Sequence, residues 1–250
     1  MPVSQPHPEA PRVAVLPAVD RADEPWRNGG GSTRQIAALS GQDGPAWCLS
    51  MARVETDGPF SVFPGVTRTI MVMDGGEMVL KVAGAEVRLG SEPFTFDGEA
   101  MTHGSLLGSA VTDFNVMVRR GLFTASTERI AAGRRVFGTA VQSPGAPRIF
   151  IVVAPPSGAR IELAQLGLDL ELAAYDAVMI EGVTAPLQGT VTSPGSSVQV
   201  VLTPRVVPLE KHRGRDNRES RERGPRTMPS HAMEAADFTW IGLSPASVTP

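Results

Sequence analysis

From Arg12 to Leu202 short apolar runs alternate with turns that carry glycine, proline or Asp-Gly. They recur about every 8–12 residues, the spacing of an all-β sandwich or barrel. Glycine and proline supply 26 and 22 of the 250 residues, and both interrupt helices. No helical periodicity of useful length appears before residue 120. Candidate strands are Arg12–Leu16, Ile36–Leu39, Trp47–Val54, Arg68–Met73, Met78–Val82, Ala85–Leu89 and Thr112–Arg120. Asp74-Gly75-Gly76-Glu77 reads as a tight hairpin turn. Ser126–Arg134 reads as one short helical turn.

The second half echoes the first. Arg148–Ala154 repeats the placement of Arg68–Met73, Val178–Gly182 echoes Phe94–Gly98, and Ser197–Arg205 echoes Thr112–Arg120. This predicts a degenerate duplication, two similar β units in tandem. The expected division is a flexible leader over 1–11, a first barrel with the ligand site over 12–125, a second barrel over 126–209 and a disordered tail over 210–250. The leader holds four prolines, and Lys211–Arg226 carries seven Lys/Arg and three Asp/Glu with no apolar residue. Such a composition buries too little surface to offset its ordering entropy.

Bulk properties exclude several partners. A net charge of −3 argues against nucleic acid. No apolar run approaches the ~20 residues of a membrane helix, and no signal peptide is visible. The single Cys48 rules out an internal disulfide framework and a thiolate metal cluster, and it fits a cytoplasmic chain. Of four histidines only His103 falls in the β region, so histidines provide no metal site and no cofactor is expected.

Three places carry polar chemistry. Trp26-Arg27-Asn28-Gly29-Gly30-Gly31-Ser32-Thr33-Arg34-Gln35 combines an aromatic, guanidinium and amide donors and glycines that allow close backbone approach. It matches no nucleotide motif. Along Asp113–Arg119 the period of two puts Asp113, Asn115, Met117 and Arg119 on one face and Phe114, Val116 and Val118 on the other. The polar face points either into a lumen, where Asn115 and Arg119 grip a ligand, or to water. Arg68 opens an apolar strand, where it would pair with a ligand carboxylate or with Asp113 or Glu99. Phe60 and Phe63 are expected in the core, Cys48 as an inert buried thiol and His103 at a rim.

Four segments, taken in order, resemble a known family. Trp26–Gly31 with Thr33-Arg34, Gly58–Gly65 with Arg68, Phe94–Glu99 and Asp113–Arg120 are similar to the motifs of the HutD/Ves family. The resemblance covers about residues 12–205. It implies a cupin-like fold of two tandem jelly-roll barrels, a bicupin, and an association with histidine utilisation, where a pathway intermediate such as formylglutamate or urocanate has been suggested as ligand. The stress-response name of the Ves branch establishes no reaction. Gln35 stands where the family usually has Glu, which removes a charge.

The favoured expectation is a non-metal small-molecule binder with a regulatory role. Its ligand-binding residues would be Trp26, Asn28, Gly29, Gly30, Thr33, Arg68, Asp113, Asn115 and Arg119, holding a small-molecule carboxylate. The second barrel would serve packing or a homodimer. A metal-independent isomerase or hydrolase using His103 or Asp113 as general base, and a protein-interaction module, are the alternatives.

Overall fold

A computed structural model describes residues 10–41, 44–139, 147–205 and 240–241. Of the expected flexible leader and tail, residues 1–9, 210–239 and 242–250 lie outside the described residues, as do residues 206–209 of the expected second barrel. The described chain is almost wholly β. In chain order the strands are β1 (Arg12–Leu16), β2 (Glu24–Pro25), β3 (Gly31–Gly41), β4 (Gly44–Val54), β5 (Gly58–Pro59), β6 (Val66–Val82), β7 (Ala85–Leu89), β8 (Phe94–Asp97) and β9 (Thr102–Arg119). The second half continues with β10 (Phe123–Ile130), β11 (Gly133–Thr139), β12 (Arg148–Val153), β13 (Ala159–Leu163), β14 (Leu168–Leu172), β15 (Ala177–Val183), β16 (Leu187–Ser193), β17 (Ser197–Pro204) and β18 (Trp240–Ile241). Among the described residues no helix is long and apolar enough to cross a membrane.

The first barrel is one strongly curved sheet in the order β2-β3-β4-β9-β6-β7, with β5 added to β9 and β8 to β6. The expected hairpin at Asp74–Glu77 is instead a pair of irregularities inside the long strand β6, where the register against β9 shifts. Gly75 has φ +94, and a Cβ there would lie 2.4 Å from the carbonyl oxygen of Ala110. The glycines let two strands bend together at close range without ending either of them. The expected helical turn at Ser126–Arg134 is also absent. Residues Phe123–Ile130 pair residue by residue with β17, because the ladder leaves their polar side chains on the exposed face.

The second barrel packs a six-stranded sheet, β10-β17-β12-β15-β1-β18, on a four-stranded one, β11-β16-β13-β14. Strand β1, which the sequence places with the first barrel, pairs antiparallel with β15, from Arg12 opposite Glu181 to Leu16 opposite Ala177. Every inward side chain of β1 finds apolar neighbours there: Val13 faces the second barrel's interior, and Ala14 and Leu16 face the junction between barrels. Two residues of the expected tail, Trp240 and Ile241, add a short strand to the free edge of β1.

The central strands of the six-stranded sheet, β17, β12 and β15, are buried on both faces. Phe150, Val152, Val178 and Ile180 point into the second barrel. Ile151, Val153, Met179, Val198 and Val200 point the other way, against Trp47, Leu49, Phe114, Val116 and Val118 of the first barrel. This explains why Ile149–Val153 reads as an unbroken apolar run rather than an alternation. It also fixes the orientation of β9. With Phe114, Val116 and Val118 committed to the junction, Asp113, Asn115 and Met117 must face the first barrel's lumen.

Candidate functional site

The lumen holds a cavity of about 520 Å³ lined by Trp26, Asn28, Gly30, Thr33, Arg68, Asp113 and Asn115, with Ser50, Phe60 and Met117 among the other walls. A second lobe of about 510 Å³ shares Glu24, Thr33, Ser50, Phe63 and Met117 with the first and adds Gln35, Cys48 and Arg119. The nine residues singled out from the sequence therefore divide. Seven line the first lobe; Arg119 stands in the second; Gly29 lines neither. Gly29 sits at φ +70 and donates its N–H to the Trp26 carbonyl at 2.9 Å, a turn-forming role.

The Trp26 segment is a tight link from β2 into β3. The Trp26 N–H donates to the Gly31 carbonyl at 2.8 Å, and the Asn28 side-chain oxygen accepts from the Gly30 N–H at 3.1 Å. A Cβ at Gly31 would fall 2.0 Å from the Arg53 carbonyl oxygen, so only glycine lets these backbones meet. The indole Nε1 donates to Thr33 Oγ1 at 2.8 Å. The ring is thereby fixed against the first barrel's apolar cluster and bounds the cavity.

Deep in the lumen lies a polar relay. Arg68 donates through Nε (2.9 Å) and Nη2 (2.6 Å) to the side-chain oxygen of Asn115, whose Nδ2 donates to Asp113 Oδ1. Arg68 is 8%, Asn115 2% and Asp113 0% exposed. Ladder pairing sets the geometry, since Val72 lies opposite Asp113, Ile70 opposite Asn115 and Arg68 opposite Met117 on neighbouring strands. The guanidinium carbon lies 4.7 Å from the centre of the Phe60 ring and 5.7 Å from that of Phe96. Two aromatic faces thus support a cation largely withdrawn from water. Asp113 Oδ2 is buried with no hydrogen-bond partner.

Burial dominates the electrostatics. It pushes the Asp113 carboxyl up to about 7, although the charge of Arg68, the Asn115 hydrogen bond and the Ala52 backbone N–H each pull the other way. Burial likewise lowers the pKa of Arg68, opposed by the charge of Asp113. The Cys48 thiol is raised to about 12 by burial and then by Glu24, so it is protonated and a poor nucleophile.

Other sequence expectations fall differently. Phe60 packs against the first barrel's apolar cluster, as expected, and also lines the cavity; Phe63, expected in the core, lines the cavity and is 36% exposed. Arg68 pairs with neither Glu99 nor, directly, Asp113; Glu99 and Asp97 both pair with Arg120 at the surface. His103 is exposed on β9, opposite Pro59 and Lys81 in the ladder. Among the described residues no three His, Cys, Asp or Glu side chains are placed to hold a metal ion. Ser50 was missed, yet it had a signal: a lone hydroxyl within the apolar run Trp47–Met51. It lies opposite Asn115 and is 4% exposed.

Comparisons with known proteins agree with this architecture. The HutD family model matches residues 18–197. An uncharacterised 21.2 kDa protein from the hutC 3′ region of Pseudomonas putida is 32% identical over 176 residues, 68% of this chain and 88% of that protein. Protein Ves of Citrobacter koseri is 38% identical over 103 residues, 38% of this chain; the match spans 52% of the Ves length. The solved structure of HutD from Pseudomonas fluorescens SBW25 superposes with a TM-score of 0.66 at 29% identity, covering 78% of this chain and all of that one. With its motifs, its two barrels and these relatives in agreement, the chain belongs to the HutD family.

Proposed function

We propose that this protein binds a small carboxylate metabolite in the first barrel and acts as a ligand-responsive regulator of histidine utilisation, with formylglutamate and urocanate as the leading ligands. The carrying observation is a single guanidinium, Arg68, held by Asn115 and two aromatic rings inside a cavity of about 520 Å³. Both of its hydrogen bonds to Asn115 use Nε and Nη2. Its remaining donors suit a carboxylate, which gains most from charge-assisted bonds in a site of low dielectric. The cavity is of a size that buries most of a small metabolite. The hutC-region relative supports the pathway, and Trp26 offers a flat face for an imidazole acrylate.

Titration calorimetry with formylglutamate, urocanate and histidine tests the reading. Wild-type protein is expected to bind at least one of the two acids, and Arg68→Ala to weaken that binding about 10- to 100-fold, the value of one hydrogen-bonded charge. Equal affinity in wild type and Arg68→Ala removes the site assignment.

One observation favours a second reading, catalysis. An acid held near neutrality beside an arginine in a cavity is a common general base. Turnover of formylglutamate or urocanate by chelator-treated protein, abolished in Asp113→Asn, would establish it.

A further inference from the structure

We infer that the ligand's carboxylate enters the first lobe together with one proton, which Asp113 takes up, so that the acid and Arg68 hold the same carboxylate group from two sides. The inference rests on the binding reading above and adds to it the ionic form in which site and ligand meet.

Donor and acceptor polarity leaves little freedom. Arginine can only donate, so the Asn115 oxygen must accept from Nε and Nη2. The Asn115 amide orientation is then set, and its Nδ2 must donate to Asp113 Oδ1. Beyond the remaining Arg68 donors, the acceptor left over in this relay is Asp113 Oδ2, which is buried and has no hydrogen-bond partner. Most buried polar atoms are satisfied, and an orphan beside a ligand cavity points to a group that arrives with the ligand. Asp113 and Arg68 both line that cavity.

Charge decides what that arriving group is. From β6 the charged group acting on Asp113 is Arg68, with Val72 opposite it in the ladder. From β4 come Ser50 and Ala52, and from β9 itself Asn115 and Met117, all uncharged. Glu24, Arg27 and Asp57 line the same cavity from exposed positions. In the empty lobe an ionised Asp113 and Arg68 balance each other. A ligand carboxylate adds a second anion to one guanidinium in a place where unpaired charge is costly. A proton from solvent onto Oδ2 restores the balance. It also turns the orphan acceptor into a donor for the second carboxylate oxygen. The raised proton affinity of the empty site makes this uptake easy near neutral pH.

The test is calorimetry of wild-type protein with formylglutamate, which has no group that titrates between pH 6 and 9. Measurements at pH 8 in two buffers of different ionisation enthalpy count the protons. The expected result is uptake approaching one proton per ligand, with affinity falling about tenfold per pH unit above about 7. Asp113→Asn keeps an acceptor for Asn115 and presents an amide N–H where the acid's proton would be. It should bind without proton uptake at any pH, within about threefold of the wild-type affinity at pH 6, a difference well under one hydrogen bond. Asp113→Ala should bind weakly throughout. Tight wild-type binding with no proton uptake at pH 8 overturns the inference and leaves the binding reading standing. It would show that the ligand brings its own N–H donor to an ionised Asp113. Absence of formylglutamate binding by wild-type protein at pH 6, with urocanate also inert, overturns both.

Discussion

The two barrels share a plan and differ in what completes their buried polar groups. In the second, Gln199 lies in the middle of β17, the strand that echoes β9, and is 4% exposed. Its amide is wholly absorbed by the backbone of Gly138: the side-chain oxygen accepts from Gly138 N–H at 3.2 Å and Nε2 donates to the Gly138 carbonyl at 3.1 Å. Around it Phe150, Val152, Ile161, Leu163, Val178 and Val191 fill the interior. In the first, Asn115 occupies the matching strand, but its amide joins Arg68 to Asp113, and that chain ends on an unsatisfied oxygen. The second barrel is not free of orphans, since Thr127 Oγ1 on β10 is buried without a hydrogen-bond partner. It is the placement of the open Asp113 oxygen at the end of a charged relay beside a cavity, more than the presence of polar residues, that separates a site from a scaffold.

Cutting a side chain from the filled barrel should produce the largest effect. Phe150 is fully buried and stacked on Phe137 with ring centres 5.6 Å apart. Phe150→Ala is expected to cost about 3–5 kcal/mol in denaturant unfolding, while the folded fraction binds ligand as wild type does. A small loss would mean that the second interior is loosely packed and the contrast between barrels overstated.

A pH series sharpens the same contrast from the hollow side. Between the ordinary carboxylate range and about 7, folded protein keeps the Asp113 proton that the unfolded chain releases. The contribution is therefore complete at acid pH and fades as pH rises through about 7. Asp113→Asn should flatten this slope in ligand-free thermal or chemical unfolding. No comparable slope is expected from the second barrel, whose interior cluster is apolar.

Filling the hollow barrel should bring it closer to its neighbour. Ser50→Leu places an isobutyl group in the shared wall of both lobes. It is expected to raise stability by about 1–2 kcal/mol through added apolar burial and to abolish ligand binding. A drop in stability would argue that the lumen has no room to spare. The smallest effect belongs to the rim. Arg120→Ala removes exposed ion pairs to Asp97 and Glu99 and should cost under about 1 kcal/mol, less still at high salt.

Much of this was readable in the residues. The period of two along Asp113–Arg119 separates junction from lumen, and the structure puts Phe114, Val116 and Val118 on the junction side. Arg68, at the head of an apolar strand, is indeed buried. What stayed hidden depends on spacing across strands rather than along them. Arg119 has the same parity as Asn115, yet four residues of extended chain carry it into a different lobe. Phe63 looks like a core residue because aromaticity reports size and says nothing about how much of the ring its neighbours cover. Asp74–Glu77 has the composition of a hairpin turn, and only its pairing with β9 shows that it bends a strand without reversing it. The partnerless Oδ2 of Asp113 had no signal at all, since satisfaction is a property of neighbours.

The loan of β1 to the other barrel has a practical outcome. The sheet β10-β17-β12-β15 is incomplete without residues 12–16, which precede the first barrel in sequence. Severing the chain between Gly121 and Phe123 would leave the halves clasped, and a second half made by itself would present a naked edge at β15. A short peptide spanning Pro11–Pro17 is its natural stave, so the molecule contains the parts of a self-assembling two-piece reporter.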